Sequence, residues 1–413
     1  MNMPVEGGPL PGYPDVPYAQ SCSMDRCMAR AKEMMDWDSK YPCRDMGNGK
    51  VRGVGVAMAM QGSSIAGVDV GGADIKLNED GSYTLALGCT DMGTGCDTVM
   101  AQIAADCLNT PMDNIVVFSV DTDISPYDSG SYASATTYTT GVAVMKACEE
   151  LKKKICKLGA EMMEVDERKV DFDGSCVFYD ETLETDDGAD GNAAGHMTDA
   201  EECYSVDMDA ISSENAQKKV SLKDIALKST FFNNIELQVV KQHSSPISPP
   251  PFMVGMAEVE VDTETGSVDV LDYVAVVDCG TPINPNLARV QTEGGIAQGI
   301  GMGSLGKMYN IQIKVRSDNN SFMQYKIPSR QDVGTIRVEF ESSYEPTGPF
   351  GAKSIGEVVI NTPSPAIAQA VYNASGVRVK ELPITAEKVY WGMKKCEDSC
   401  DFTGGWKQPP LWK

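Results

Sequence analysis

Residues 244–252 read Ser-Ser-Pro-Ile-Ser-Pro-Pro-Pro-Phe. Proline fixes its own φ and keeps the preceding residue out of the helical region, so this run is extended and divides the chain. Each side must then bury its own apolar surface, and each carries strand and helix patterns. Residues 73–77 and 83–87 alternate around Asn78-Glu79-Asp80-Gly81, a glycine-closed hairpin turn, and residues 256–262 and 267–278 do the same around 263–266. Apolar spacing predicts helices over 23–37, from Asp97 onward, and over 142–158, where Val144, Cys148, Leu151, Ile155 and Leu158 share a face and Gly159 is the expected stop. Shorter helices are expected at 222–228 and from Pro365 to Gly376. Residues 115–120 read as a buried strand and 336–341 as a half-buried one. The pattern is α+β: two lobes with mixed or antiparallel sheets. We expect an N-terminal segment, 1–50, packed on a partner subunit. A first lobe covers 51–243, a second 244–395, and a tail 396–413.

Charge narrows the function. The net charge is −24, which disfavours nucleic acid and anionic membrane surfaces. Residues 180–214 hold 12 Asp and Glu and no Lys or Arg, half of that charge, and read as a solvated insertion at about 180–216. There is no run of apolar residues long enough for a membrane helix and no signal-peptide pattern at the start, so a cytoplasmic location is expected. The 13 cysteines include no Cys-x-x-Cys and are expected as free thiols. With only His196 and His243, a multi-histidine metal site is excluded. His243, just before the proline run, reads as structural and His196 as exposed.

Three loops could carry chemistry. Met92-Gly93-Thr94-Gly95 lies between a strand and a helix start, where backbone N–H groups favour an anion. The loop 130–137, with Ser131, Tyr132, Ala133, Ser134, Thr136 and Thr137, offers hydroxyl and N–H donors with almost no charge. In Gly351-Ala352-Lys353-Ser354-Ile355-Gly356-Glu357 a carboxylate follows small and apolar residues, surroundings that tend to raise its pKa and suit a general base.

In this order the loops resemble the molybdopterin-binding part of the xanthine dehydrogenase and aldehyde oxidase family. That family has a Met-Gly-Gln-Gly loop, then a Ser/Thr/Ala-rich loop, then Lys-x-x-Gly-Glu. Asp278-Cys279-Gly280, Asn284-Pro285, Glu293-Gly294-Gly295-Ile296-Ala297-Gln298-Gly299 and Tyr325-Lys326-Ile327-Pro328 add to the likeness. The resemblance implies Glu357 as the base and Gln298 as the pterin-side glutamine. It places Met92 to Gly95 and Ser131 to Thr137 at the pterin and phosphate, and Lys353 and Gly356 in the turn presenting Glu357. No side chain is expected to ligate the metal, because a pterin dithiolene holds molybdenum. The cofactor expected is molybdopterin, in its cytosine dinucleotide form.

The expected reaction is hydroxylation of an N-heteroaromatic compound (a purine, xanthine or nicotinate) with water as the oxygen source. Iron–sulfur clusters and FAD are expected on partner subunits. This chain departs from the family at Thr94, where most members have Gln. The Gly-Gly-Phe-Gly-Gly loop and a substrate-binding arginine of the family's first half are not found in it. The arrangement resembles the split molybdenum subunit of nicotinate dehydrogenase or purine hydroxylase of anaerobes, in which a second molybdopterin subunit closes the site. Alternatives are an aldehyde oxidoreductase subunit and a non-catalytic molybdopterin-binding or assembly subunit.

Overall fold

In this computed structural model, residues 20–183, 219–233, 235–305, 321, 323 and 327–399 are described. Most of the acidic stretch, His196, Tyr325, Lys326 and the tail beyond residue 399 lie outside the described residues.

Helix α1 (Met24–Met35) is amphipathic, and Met24, Cys27, Ala31 and Met35 are buried. They join Phe252, Val254, Val274 and Val276 in one apolar cluster on this chain's own sheet, so the described part of the N-terminal segment packs within the chain. Its start is pinned: the Ser23 amide donates to Asp278 Oδ2 at 2.8 Å and the Ser23 hydroxyl to the Glu341 carbonyl at 2.9 Å. A short α2 (Trp37–Lys40) leads to β1 (Cys43–Gly47) and β2 (Lys50–Met60).

The next layer begins with β3 (Gly71–Leu77) and β4 (Tyr83–Leu87), the expected hairpin, paired from Ala73↔Leu87 to Leu77↔Tyr83. Then come α3 (Cys96–Leu108), β5 (Ile115–Ser119) and α4 (Thr136–Met163). A small sheet of β6 (Val170–Phe172), β7 (Cys176–Tyr179) and β8 (Lys219–Ser221) follows, then α5 (Leu222–Leu227) and β9 (Gln238–His243). The sheet order is β5-β4-β3-β9. Ile75, Leu77, Leu85 and Leu87 bury one face against Val99 and Ile103 of α3 and Val144, Cys148, Leu151 and Ile155 of α4.

Two expectations change here. The strand at 115–120 is not buried: β5 is an edge strand, parallel to β4, with Val116 and Phe118 exposed. Gly159 does not stop α4, which runs on to a left-handed Glu164 at φ 54°. A Cβ at Gly159 would meet Val177 Cβ at 2.7 Å, so this glycine is a close-packing point rather than a terminator.

The other layer is built on β10 (Phe252–Asp262) and β11 (Val268–Asp278), paired from Phe252↔Asp278 to Val261↔Val268. Next come α6 (Pro285–Ile300), β12 (Thr335–Phe340), α7 (Val358–Asn361), α8 (Pro363–Ser375) and α9 (Ala386–Ser399). The stretch 293–299, which carries Gln298, is the second half of α6. The helix expected from Pro365 opens two residues earlier and closes at Gly376, as expected, in the left-handed region.

The sheet order is β1-β2-β10-β11-β12. Thus β2, assigned from sequence to the first lobe, hydrogen-bonds to β10, and the crossing between layers is the segment 61–70 rather than residue 51. Helix α8 lies directly on β2: a Cβ at Gly55 would come within 2.2 Å of the Ala366 carbonyl oxygen. The segment 244–252, expected as extended, carries no helix and returns the chain from β9 to β10.

His243 ends β9 with Nδ1 2.9 Å from Lys146 Nζ and a buried Nε2 that has no partner. A lysine ammonium can only donate, so the ring accepts at Nδ1 and is neutral. Burial, then the Lys146 charge, lower its pKa to about 4. The unfolded ring binds its proton near pH 6.5, so this site's stability is complete above that value and lost as pH falls toward 4. Urea titrations should show a loss on the order of 1–3 kcal/mol across that window. His243→Gln should flatten the slope; an unchanged slope would show that other groups govern it.

Candidate functional site: a cleft between the two layers

The first loop leaves β4 and enters α3. Gly93 and Gly95 have positive φ, 99° and 78°, and both amides donate to Asp91 Oδ1, at 2.8 and 3.1 Å. These two donors, expected to face an anion, therefore brace the turn from behind. A Cβ on Gly95 would also meet Leu287 of α6 at 2.6 Å, so glycine is needed where the two layers touch. Met92 and Thr94 are exposed and face the cleft.

The second loop is tied to the first: Ser131 Oγ donates to the Thr90 carbonyl at 3.0 Å and accepts from its amide at 3.1 Å. Ala133 and Ser134 are both left-handed, φ 49° and 56°. Non-glycine residues hold that conformation at a cost and keep it only where the surroundings impose it. The Ser64 amide, bonded to the Ala133 carbonyl at 3.1 Å, is one such constraint. Thr136 and Thr137 start α4.

The third loop turns at Phe350 and Gly351, both with positive φ. Lys353 does not reach outward. Its side chain is wholly buried, with Nζ 2.9 Å from Asp278 Oδ1, 3.1 Å from Ser343 Oγ and 3.4 Å from the Ser21 carbonyl. It anchors the turn rather than a cofactor. Ser354 joins the loop to residues 62 and 63: its amide donates to Ser63 Oγ at 3.0 Å and its hydroxyl to the Gly62 carbonyl at 3.1 Å.

Glu357 is exposed at the end of this turn and is not enclosed by apolar groups. Its Oε2 accepts from Ser134 Oγ at 2.9 Å and from Gln61 Nε2 at 3.2 Å.

The loops line one cavity of about 410 Å³. Of the expected residues, Met92, Thr94, Ser131, Tyr132, Ala133, Ser134, Thr136, Thr137, Lys353, Gly356 and Glu357 border it. Gly93 and Gly95 stand behind it. Gln298 is exposed on α6 and does not border it; the glutamine that does is Gln291, whose Nε2 donates to the Gly356 carbonyl at 2.8 Å. Seven residues are two helical turns, so the two glutamines lie on one face of α6 about 10 Å apart.

Gln61 and Gln291 escaped the sequence reading. A polar Gln-Gly-Ser-Ser directly after an alternating strand, and a second glutamine in helical register with Gln298, were the available signals.

Among the described residues on the cavity wall, Glu357 carries the only carboxylate, and the only lysine turns its ammonium inward. Beside the cavity, ligand atoms of Asp91, Cys96 and Asp97 lie within 4.8 Å of one another. All three are engaged. Asp91 holds the glycine amides, Asp97 accepts from Ser119 at 3.0 Å, and the Cys96 thiol is pushed up by hydrogen bonding to Cys89 and by burial. The three groups are thus held by contacts within the chain. The wall offers neutral donors, including Thr94, Thr136, Thr137, Thr281 and Gln291, and the first turns of both α3 and α4 border it. Two helix N-termini beside hydroxyl and amide groups suit a phosphorylated polar heterocycle, which is what molybdopterin is.

The comparisons with known proteins agree. Residues 30–334 match the model of the molybdopterin cofactor-binding domain. The "Probable hypoxanthine oxidase XdhD" of Escherichia coli (strain K12) is 32% identical over 384 residues, 92% of this chain and 36% of that protein. The xanthine dehydrogenase molybdenum-binding subunit of Escherichia coli O157:H7 is 28% identical over 379 residues, 90% of this chain and 46% of that one. The fold matches CO dehydrogenase from Oligotropha carboxidovorans with a TM-score of 0.76 at 20% identity, covering 96% of this chain and 48% of that one. The chain thus spans less than half the length of each of these relatives. With its match to the molybdopterin cofactor-binding domain over most of its described length, the chain belongs to the xanthine dehydrogenase family of molybdopterin-binding proteins.

Proposed function

We propose that this chain is the molybdopterin-binding catalytic part of a molybdenum hydroxylase, with Glu357 as general base. The observation that carries the reading is the meeting of the three loops at one cavity whose sole carboxylate, among the described residues, is Glu357. The substrate class is an N-heteroaromatic compound of the purine, xanthine or nicotinate type; two relatives bear hypoxanthine and xanthine in their names. Water supplies the oxygen: the substrate C–H and one water become C–OH, two protons and two electrons.

When bound, molybdopterin, in its cytosine dinucleotide form, would supply the two-electron chemistry. The residues would do the rest. Ser131, Thr136, Thr137 and the starts of α3 and α4 would hold its phosphate and polar edge. Thr94, Met92 and Tyr132 would border the pterin, Gln291 would hold the turn before Glu357, and Gln298 would meet the cofactor where it leaves this chain. Glu357 would accept the proton.

Lys353 and Gly356 serve the turn. The electrons would leave through an iron–sulfur subunit and an FAD subunit. A second molybdopterin subunit, carrying the other half of the site, would complete the cavity. Among the described residues no helix is long and apolar enough to cross a membrane; the proposed location is the cytoplasm.

The first test is the molybdenum content of the complex isolated with this chain. Molybdenum stoichiometric with the chain, together with iron–sulfur and flavin subunits, is the expected result. An intact complex without molybdenum would reduce the resemblance to a shared fold.

A further inference from the structure

We infer that Gln61 is a positioning residue for Glu357: with Ser134 it clamps one carboxylate oxygen and so leaves the other to face the reacting atoms. The inference rests on the reading of Glu357 as the base. Gln61 Nε2 and Ser134 Oγ arrive from separate loops, 3.2 and 2.9 Å away, and both donate to Oε2. Among the described residues Oε1 accepts no hydrogen bond. An exposed glutamate with no such partners would rotate through several rotamers, and only some would direct an oxygen to the substrate.

Both donors are held more firmly than their exposure suggests. The Gln61 amide donates to the Pro251 carbonyl at 3.3 Å, which ties the end of β2 to the proline segment. A Cβ on the following Gly62 would lie 2.7 Å from Ser248 Oγ, so the loop sits tightly on that segment. Gly62 and Ser63 both bond Ser354, three residues before Glu357. The loop that carries Gln61 and the turn that carries Glu357 are therefore one hydrogen-bonded unit. On the other side, the left-handed backbone at Ala133 and Ser134 is a local cost that keeps the Ser134 hydroxyl on the carboxylate. Two independent pieces of backbone thus converge on the same oxygen, an arrangement suited to fixing a direction.

The test uses the purified molybdenum-loaded complex. Gln61→Met keeps the side chain's length and removes the donor. It should lower kcat roughly ten- to a hundredfold, the range expected from misaligning a reacting group, with KM within about twofold of the parent. Ser134→Ala, a change of one atom, should do the same from the other loop. The double variant should lose less than the product of the two, because both donors serve one oxygen.

If Gln61→Met fails to assemble, judged by its molybdenum content, Ser134→Ala decides. Parental kcat in either variant, while Glu357→Gln is inactive, overturns the clamp and leaves the base standing. A raised KM at parental kcat also overturns it, since Gln61 would then serve ground-state binding. Full activity of Glu357→Gln removes the base reading itself.

Discussion

Glu357→Gln should lower turnover on the order of 10²–10⁴-fold, the range a positioned general base supplies, while molybdenum content stays at the parental level. The substitution preserves shape. Its carboxamide oxygen can take the place of Oε2 and accept from Ser134 and Gln61, which donate at 2.9 and 3.2 Å. The amide NH2 then faces the cavity where Oε1 stood, so a proton acceptor is replaced by a donor that cannot be protonated near neutral pH. Steady-state rates on purines and nicotinate, with metal analysis of the same samples, check both halves. Loss of turnover together with loss of molybdenum would make Glu357 a cofactor-retaining residue instead. Retained turnover would leave this cavity without a base, because among the described residues its wall carries no second carboxylate.

How much of this was legible beforehand depended on range. Hairpins and amphipathic helices are local, and β3–β4, β10–β11, α1 and the apolar face of α4 follow from spacing. The three loops could also be read, because together and in this order they resemble the cofactor-binding loops of a known family, although each alone is an ordinary turn. Pairings between distant segments left no such mark. Nothing in residues 50–60 says that β2 will join β10 rather than its sequence neighbours, and so the partition at residue 51 fell in the wrong place.

The same blindness affects side-chain direction. The motif puts Lys353 in the turn presenting Glu357, but nothing in it says that the ammonium meets an aspartate 75 positions earlier. Gln61 reaches a carboxylate 296 positions away, a contact that exists only once both sheets are formed. Gly159 was misread for a related reason: a glycine near a helix end looks like a stop unless Val177 is known to lie against it.

Lys353→Met should destabilise the chain by about 3–5 kcal/mol, the cost of leaving one member of a buried ion pair uncompensated. Both side chains are at 0% exposure, and the pair is 2.9 Å long. Asp278 would keep the Ser23 amide at 2.8 Å, the Gly280 amide at 3.0 Å and the Ser343 hydroxyl at 2.7 Å. Those three donors solvate the carboxylate in part, which places the expected loss nearer the lower bound. Methionine fills most of the volume next to Phe252, whose ring centre lies 5.1 Å from Nζ, so little of the effect should come from a cavity. Asp278→Asn in the Lys353→Met background removes the stranded charge and can keep an acceptor for the Gly280 and Ser343 donors on Oδ1, while the Ser23 amide loses its acceptor at Oδ2. It should recover at least half of the loss in urea unfolding, and the coupling between the two sites should exceed about 1 kcal/mol. A loss below about 1 kcal/mol in the single variant, or no recovery in the double, would mean that the remaining donors or water already compensate the carboxylate. Because Lys353 also meets the Ser21 carbonyl and Asp278 holds Ser23, the start of α1 should loosen first, giving faster amide exchange in residues 24–27 than in β11. The pair would then be what joins the N-terminal segment to the turn that presents Glu357.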